Sequence, residues 1–367
     1  MEVKGYKNMD NIKPQSIVNG LKDILLYKHG GDIYHNDVSY DFSVNTNPLG
    51  LPPIVKKELV ESIDMFCRYP DIQCSELCEA VSMQENIPSE KLMFANGASE
   101  IFKLAVDAIK PHKALVTAPS FSGYSHVLKG AGAGIEYYYL EEGKNFVLDI
   151  DILGKIPAGC DMVFLCSPCN PTGRIISKEV FLKVLSYCEN KNIYLVADEC
   201  FLGFLDDYEK LSMKSELSSG YLIIVNAFTK LYAMAGLRLG WCACGNKKLL
   251  AKMRQMQPEW SVSVPAQLAG IYALKDKDYI VRTRRLIRQE KPKMAELLEN
   301  KGIKVFPSDA NFLLVKSKIN LYKKFLAKHV LIRQCNNFTG LSDGFYRIAI
   351  RSAEENRMFN KILMEIV

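Results

Sequence analysis

Short apolar segments alternate with helical patterns through the middle of the chain, and no other feature constrains the fold as tightly. The strand candidates are 92–96, 114–118, 135–140, 162–166, 193–198 and 222–226. Between them, apolar residues recur at helical spacing in 99–110, 123–130 and 180–190. Buried strands written as continuous apolar runs and separated by helices imply a mostly parallel sheet that is covered on both faces. We therefore predict an α/β fold.

The two ends of the chain follow other patterns. A long helical pattern at 277–301, rich in Arg and Lys, precedes short strand candidates at 312–315 and 346–350, which predicts a smaller α+β domain. The N-terminal segment lacks clear periodicity, and we interpret it as an arm plus a piece of that small domain. The predicted division of the chain is 1–45 for this segment, 46–269 for the large domain and 270–367 for the small domain.

Charge and hydropathy exclude several classes of protein. Lys and Arg number 47 against 41 Asp and Glu, a net charge of +6 that is mild for 367 residues. The one dense basic stretch, 282–288, is typical of the solvated face of a helix, so no nucleic-acid partner is expected. No apolar run approaches the ~18 residues of a membrane span, and no apolar signal segment is visible. We therefore expect a cytoplasmic protein without a membrane partner.

The cysteines indicate reduced thiols. There are 11 of them, an odd number and a far smaller share than the ~8–10% of a disulfide scaffold. Several lie inside apolar segments, which also favours free thiols. Cys166 and Cys169 form a C-x-x-C pair, but no second pair with ligand spacing accompanies them, so no metal site is expected.

The segment 226–240 carries the strongest chemical signal. Lys230 follows a strand candidate in an apolar, small-residue context, where burial would lower the pKa of its amine. A neutral amine is what a Schiff base requires. Arg238 lies between Gly236 and Gly240 and suits a phosphate anion. The alternative is an ordinary surface lysine and arginine after a strand.

Three other polar positions follow strand candidates, where ligands bind in open α/β sheets. Asn170 lies in the loop 166–173, which two prolines and a glycine stiffen. Asp198 ends an apolar strand candidate, where its carboxylate could keep a heterocyclic nitrogen protonated. A strand–helix junction offers the backbone N–H groups of Ala98 and Ser99 to an anion. The alternative for Asn170 is a tight turn without a ligand, and that for Asp198 is a helix N-cap. The alternative for Ala98 and Ser99 is an ordinary junction of the kind that any α/β protein contains.

Taken in chain order, the phosphate turn, Asn170, Asp198, Lys230 and Arg238 resemble the fold-type I pyridoxal-phosphate enzymes of the class I/II aminotransferase group. The resemblance covers most of the chain and implies pyridoxal 5′-phosphate as cofactor. It implies that Lys230 forms the Schiff base with the cofactor and moves protons. It also implies that Asp198 pairs with the pyridine nitrogen and that Asn170 bonds the ring hydroxyl.

The resemblance assigns further residues to cofactor and substrate. The cofactor phosphate would be held by Ala98, Ser99, Thr229 and Arg238. Phe121 would stack on the ring, and Arg347 would bind the substrate α-carboxylate in a bidentate pair. Tyr69 would reach the cofactor phosphate of a neighbouring subunit, which implies a homodimer with active sites at the subunit interface. Phe201 stands where many members carry a tyrosine, so Asn170 would hold the ring hydroxyl alone.

Two members of this group compete: the threonine-phosphate decarboxylases of cobalamin biosynthesis and the histidinol-phosphate aminotransferases. The segments that resemble the decarboxylases are 29–32, 41–50, 260–262 and 332–341. We therefore predict decarboxylation of L-threonine O-3-phosphate to aminopropanol phosphate, with serine phosphate as an alternative because the two substrates differ by one methyl group. The choice over transamination rests on this resemblance, because residues alone do not report which Cα bond stands perpendicular to the cofactor ring.

Threonine phosphate carries a phosphate and a carboxylate, so it needs two cationic sites close together. Arg347 and Arg351 are spaced so that one strand would place both on the same face. We predict that Arg347 binds the carboxylate, that Arg351, helped by His29, binds the phosphate, and that Asn47 contacts substrate. The alternatives are that Arg351 is a surface arginine and that His29 is a loop histidine.

A cofactor-binding protein without catalysis is the alternative to an enzyme, and the intact Lys230 segment argues against it.

Overall fold

The structure is a computed structural model that describes residues 30–367. Its strands are β1 (Tyr40–Asp41), β2 (Leu92–Ala95), β3 (Lys113–Ala118), β4 (Gly134–Tyr139), β5 (Met162–Cys166), β6 (Tyr194–Asp198), β7 (Leu222–Ala227), β8 (Gly240–Cys244), β9 (Lys304–Val305), β10 (Phe312–Lys316), β11 (Val330–Leu331), β12 (Arg333–Gln334) and β13 (Phe345–Ala349). Its α-helices are α1 (Pro53–Glu61), α2 (Ser75–Glu85), α3 (Ala98–Ile109), α4 (Ser122–Gly130), α5 (Lys178–Lys191), α6 (Tyr208–Leu211), α7 (Phe228–Leu231), α8 (Lys247–Met256), α9 (Val264–Ala273), α10 (Lys277–Asn300), α11 (Leu321–Leu326) and α12 (Ala353–Ile366).

A seven-stranded sheet forms the centre of the molecule, with strand order β2-β8-β7-β6-β5-β3-β4. The pairs β7–β6, β6–β5, β5–β3 and β3–β4 are parallel, and β8 is antiparallel to both of its neighbours. The prediction of a mostly parallel sheet is therefore confirmed. Because the five strands β7, β6, β5, β3 and β4 run the same way, β5, β6 and β7 end at one edge of the sheet, and the loops that follow them meet there.

Both faces of this sheet are covered, as continuous apolar strands require. In β5, Val163 and Leu165 belong to one apolar core and Phe164 belongs to the other. Helices α1, α2, α5 and α9 contribute to the first core, and α3, α4 and α8 contribute to the second. Within the part of the chain that the structure describes, no helix is both long and apolar enough to cross a membrane.

The C-terminal elements build a second, four-stranded antiparallel sheet of order β12-β13-β10-β9, against which α10 and α12 pack. Strand β1 pairs in parallel with β11, so the start of the described chain contacts the C-terminal elements. The predicted domain boundary at 269/270 falls inside α9, and the helix continues without a break to Ala273. The division into domains otherwise stays a prediction.

The prediction that Arg347 and Arg351 lie on the same face of one strand is wrong. Strand β13 ends at Ala349, so Arg347 and Arg351 do not share a strand face. Ser352 accepts a hydrogen bond from the backbone of Glu355, and the Glu355 side chain bonds back to the backbone N–H of Ser352. This capping box starts α12, and Arg351 therefore lies in the turn between strand and helix.

Candidate active site

Lys230 lies at the carboxyl end of the central sheet. Strand β7 ends at Ala227, and the short helix α7 follows directly and carries Lys230. Burial, with help from the positive charges of Arg347 and Arg238, lowers the pKa of its amine to about 8. A larger fraction of such a lysine is neutral near pH 7 than of a free lysine. The side chain is therefore suited to nucleophilic and proton-transfer chemistry.

Asp198 ends β6, the strand next to β7, and its side chain is only 6% exposed. Its Oδ1 accepts a hydrogen bond from the Cys200 backbone N–H at 2.9 Å, and Oδ2 accepts one from the hydroxyl of Tyr124. Burial raises the pKa of Asp198, while these hydrogen bonds act in the opposite direction. The Tyr124 contact was not predicted, because nothing local in the sequence says that α4 brings this hydroxyl to β6.

An anion cradle lies where α3 begins. Gly97, the residue before α3, has φ +79°, and an added Cβ would lie 2.5 Å from Nη2 of Arg238. A Cβ on Gly240 would meet the backbone of Gly97 and Ala98 at 2.6 Å. The two glycines therefore let the Arg238 guanidinium approach the first N–H groups of α3, Ala98 and Ser99, at the positive end of the helix dipole.

Asn170 and Arg347 contact each other across the two sheets. Nη1 of Arg347 donates to Oδ1 of Asn170 at 2.5 Å, and Nη2 donates to the carbonyl of Ser43 at 2.5 Å. Arg347 is 6% exposed, its Nε has no partner among the described residues, and burial lowers its pKa to about 10. The bond to Oδ1 leaves the amide N–H groups of Asn170 as donors, as the resemblance requires for bonding a ring hydroxyl.

Arg333 is a functional candidate that the sequence reasoning missed. It is directly opposite Arg347 in the β12–β13 ladder and is 8% exposed. Its Nη2 donates to Oδ1 of Asn337 at 2.7 Å, its guanidinium lies 5.2 Å from the centre of the Phe338 ring, and burial lowers its pKa. Among residues 30–367, no carboxylate lies within 4 Å of either guanidinium. Two buried cations without carboxylate partners suit two anionic groups of a ligand.

Asn45 and Asn47 both lie before α1, and it is Asn45, not the predicted Asn47, whose side-chain amide the described residues leave free for a ligand. Both amide hydrogens of Asn47 are engaged, by the Leu231 carbonyl at 2.6 Å and Thr283 Oγ1 at 2.7 Å. Asn47 therefore holds the Lys230 segment, and its backbone N–H donates to the Lys230 carbonyl at 2.9 Å. Asn45 is 1% exposed, and neither polar atom of its amide has a partner among the described residues. Buried amides are rarely left unpaired, so Asn45 is a candidate ligand contact.

The remaining predicted residues are placed as follows. Arg351 pairs with Glu355 at 3.1 Å and does not accompany Arg347. The ring of Phe121, just before α4, packs edge-on against that of Tyr124, with centroids 5.5 Å apart. Thr229 is buried beside Lys230 in α7. His29 lies outside the described residues.

Comparison with known proteins identifies the class. The chain matches the family "Aminotransferase class I and II" over residues 39–363. It is 32% identical over 351 residues to the threonine-phosphate decarboxylase of Salmonella typhimurium, covering 92% of this chain and 96% of the relative. It is 31% identical over 339 residues to the histidinol-phosphate aminotransferase of Methanococcus aeolicus, covering 88% of each. The chain belongs to the class I and II aminotransferase family.

A solved structure agrees with this assignment. The histidinol-phosphate aminotransferase from Clostridium acetobutylicum has a TM-score of 0.84 and 33% identity, covering 89% of this chain and 98% of that one. The family depends on pyridoxal phosphate, and this chain is a pyridoxal-phosphate enzyme. The described residues fit the cofactor, because a lysine of lowered pKa, a buried carboxylate and an anion cradle meet at one sheet edge.

The cradle gives a first testable prediction. Gly97→Ala would displace the Arg238 guanidinium and strain a backbone that has φ +79°, so we expect the Kd for pyridoxal phosphate to rise roughly tenfold or more. Fluorescence titration of the cofactor-free protein measures this. Gly130→Ala is the matched control, because an added Cβ there meets nothing within 4 Å. An unchanged Kd in Gly97→Ala would contradict the assignment of the cradle.

Proposed function

We propose that this chain decarboxylates a phosphorylated amino acid, with L-threonine O-3-phosphate as substrate and aminopropanol phosphate as product, in cobalamin biosynthesis. The observation that carries the proposal is the pair of buried arginines, Arg333 and Arg347, which are directly opposite each other in the β12–β13 ladder. The substrate carries two anionic groups, and the pair offers one cation to each. Histidinol phosphate has no carboxylate and would occupy only one guanidinium, whereas its co-substrate 2-oxoglutarate carries two carboxylates, so the assay below is needed to separate the two reactions.

The two arginines differ in their neighbours, which suggests how they divide the substrate. Arg347 contacts Asn170 and lies close enough to Lys230 to lower its pKa, so we assign the α-carboxylate to it. Arg333 lies one strand further away and takes the phosphate in this proposal. Asn45, with its unpaired buried amide, is a neutral candidate to help. Anchoring both ends of a small substrate would fix the torsion that decides which Cα bond breaks.

The reaction exchanges a carboxylate for a proton: the bond between Cα and the carboxylate breaks, CO₂ leaves, and Cα gains one proton. The cofactor, when bound, supplies an electron sink for the electron pair left on Cα. Lys230, whose pKa is about 8, can hold and deliver the proton near neutral pH. Asp198 would pair with the ring nitrogen of the cofactor, and Arg238 with the α3 amides would hold the cofactor phosphate.

We also propose a homodimer with active sites at the subunit interface. Tyr69 is 79% exposed, and its ring lies 4.6 Å from that of Trp260, which is 44% exposed. Ile63 and Ile72, close to Tyr69 in the chain, are also exposed, at 60% and 58%. Several exposed apolar side chains in one stretch of the chain support a protein–protein contact. A monomeric mass by light scattering would contradict the dimer.

One assay separates the proposed reaction from its alternatives. The holoenzyme is incubated with threonine phosphate, with serine phosphate, and with histidinol phosphate plus 2-oxoglutarate. CO₂ and glutamate are both measured. We expect CO₂ from threonine phosphate and no glutamate. Glutamate without CO₂ would establish transamination, the second candidate, which the 31% identity to a histidinol-phosphate aminotransferase supports.

The choice between Arg333 and Arg351 as the phosphate ligand gives a second prediction. Arg333→Leu removes a buried cation that faces substrate in this proposal, so we expect KM for threonine phosphate to rise about 30-fold or more. Arg351→Leu removes a side chain already paired with Glu355, and we expect KM to change less than about threefold. Unphosphorylated threonine serves as control substrate, because neither change should affect it strongly. The reverse order of losses would assign the phosphate to Arg351.

A further inference from the structure

A cavity of about 250 Å³ lies next to the turn that carries Lys230, in addition to the candidate active site. Phe228 and Leu231, on either side of Lys230, line it, whereas Lys230 itself does not. Its other walls come from α2, from the segment around α6 and from the first half of α10, and we call it the α2–α10 cavity. It is therefore separate from the Lys230 side chain although it shares the α7 turn with it.

The hydroxyl of Tyr232 supplies the first sign that the α2–α10 cavity takes a ligand. Tyr232 lines the cavity and is 7% exposed. Its ring is fixed between those of Phe228 and Tyr279, with centroids 5.2 and 5.7 Å away. The hydroxyl has no hydrogen-bond partner among residues 30–367, although its neighbour Tyr279 donates to the Gly50 carbonyl at 2.5 Å. A rigid, largely buried phenol whose hydroxyl makes no hydrogen bond to the described residues is a polar group available to a ligand.

Arg284 supplies an unpaired positive charge on the α10 wall. Its Nε and Nη2 donate to the carbonyl of Gly203 at 3.1 and 2.9 Å, so the guanidinium is held in position. No carboxylate lies within 4 Å of it in the described chain, since the nearby Asp206 pairs with Arg288. Burial lowers the pKa of Arg284. A fixed, partly buried guanidinium with free N–H groups favours an anionic partner.

The wall formed by α2 and α6 carries surplus negative charge. The Lys214 ammonium lies 3.3 Å from Glu85 and 2.8 Å from Glu209, so two carboxylates share one ammonium. Glu85 is only 14% exposed, and Oε2 also accepts a hydrogen bond from Tyr208 at 2.5 Å. Its Oε1 has no partner among the described residues. This wall therefore favours a cationic group.

We propose that the α2–α10 cavity binds a small zwitterion, a free α-amino acid, with its carboxylate on Arg284 and its ammonium on Glu85. The opposite surplus charges of the two walls match the two ends of such a ligand, and the cavity volume limits its side chain to a small one. The Tyr232 hydroxyl gives it a further hydrogen bond. Because the ligand would join α10 to elements that flank Lys230, its binding would couple to the active site.

The test must exclude binding at Lys230, because amino acids also react with the cofactor there. Holoenzyme reduced with borohydride has the cofactor fixed to Lys230 and cannot exchange it for an amino acid. Glycine, L-serine and L-threonine are titrated into this form by calorimetry, with ethanolamine and propionate as analogues that each lack one charge. We expect saturable binding of the zwitterions and at least about tenfold weaker binding of either analogue.

Three variants place that binding in the α2–α10 cavity. Glu85→Gln keeps an acceptor for Tyr208 but removes the charge, and Tyr232→Phe removes only the free hydroxyl. We expect Kd to rise about tenfold and about threefold, respectively. Tyr221→Phe, whose ring packs on Tyr194 outside the cavity wall, is the matched control and should leave Kd unchanged. The proposal is overturned if no zwitterion saturates, if the singly charged analogues bind equally well, or if Glu85→Gln and Tyr232→Phe bind like the unchanged protein.

Discussion

Lys230→Ala is expected to lower kcat by about 10⁴-fold or more, which is the loss typical of removing a catalytic nucleophile or general base. The structure gives the reason: burial lowers the pKa of this amine to about 8, and α7 holds it at the edge where β5, β6 and β7 end. The same change should shift the absorbance of the bound cofactor to that of the free aldehyde, because its covalent link is lost. CO₂ release and the absorbance spectrum measure the two effects.

Lys178→Ala is the matched control for this prediction. Lys178 is also a partly buried lysine whose pKa burial lowers, and its ammonium donates to the Ser212 carbonyl at 2.5 Å. It lies at the start of α5, and its partners Ser212, Ser215 and Glu216 are not predicted site residues, so we expect kcat to change less than about twofold. Substantial CO₂ release by Lys230→Ala, or an equal loss in Lys178→Ala, would show that the chemistry does not depend on Lys230.

The cofactor side of the site could be predicted from the sequence because each residue is tied to a local pattern. Lys230, Asp198 and Asn170 all follow continuous apolar strands, and in a parallel sheet the carboxyl ends of such strands meet at one edge. The sequence position of the strand end therefore implies the spatial position of the side chain. No knowledge of distant contacts is needed for that step.

The substrate side depends on contacts that no local pattern reports. Arg333 faces Arg347 only because of the register between two short antiparallel strands, and the sequence around Arg333 does not contain that register. Asn47 is engaged by Thr283, a residue of α10 that is 236 positions away, while Asn45 is left unpaired. In each case the residue type indicates a polar contact, but the sequence does not indicate which residue or ligand makes that contact.

The placement of Arg351 is a different kind of error, because a local signal was present. Ser352 is followed three residues later by Glu355, the spacing of a capping box, and this pattern predicts a helix start at that point. The prediction that the strand reaches Arg351 does not take this capping-box spacing into account. The helix start explains why the Arg351 side chain pairs with Glu355 in the first turn of α12.

Asp198→Asn is expected to lower kcat about 10²- to 10³-fold, the loss typical of removing one preorganised electrostatic group from an active site. Asparagine keeps the shape: its Oδ1 can still accept the hydrogen bond from the Cys200 N–H, and its amide N–H can donate to the Tyr124 hydroxyl, so the fold around β6 should be preserved. It carries no charge, however, and cannot hold the proton of the cofactor's ring nitrogen, which the resemblance assigns to Asp198. Steady-state rates of CO₂ release measure the loss, and unchanged cofactor binding separates it from misfolding.

Tyr124→Phe tests whether the charge of Asp198, rather than its hydrogen bonds, matters. Burial raises the pKa of Asp198 and the Tyr124 hydroxyl opposes that effect, so removing the hydroxyl raises the pKa further. Because a raised pKa keeps the carboxyl protonated to higher pH, the acid limb of the rate profile should move to higher pH, and the loss should shrink as pH rises. The Asp198→Asn variant has no carboxyl that can regain its charge as pH rises. Its loss of rate should therefore stay constant from about pH 6 to about pH 9. Parallel profiles for the two variants would contradict the role of the Asp198 charge.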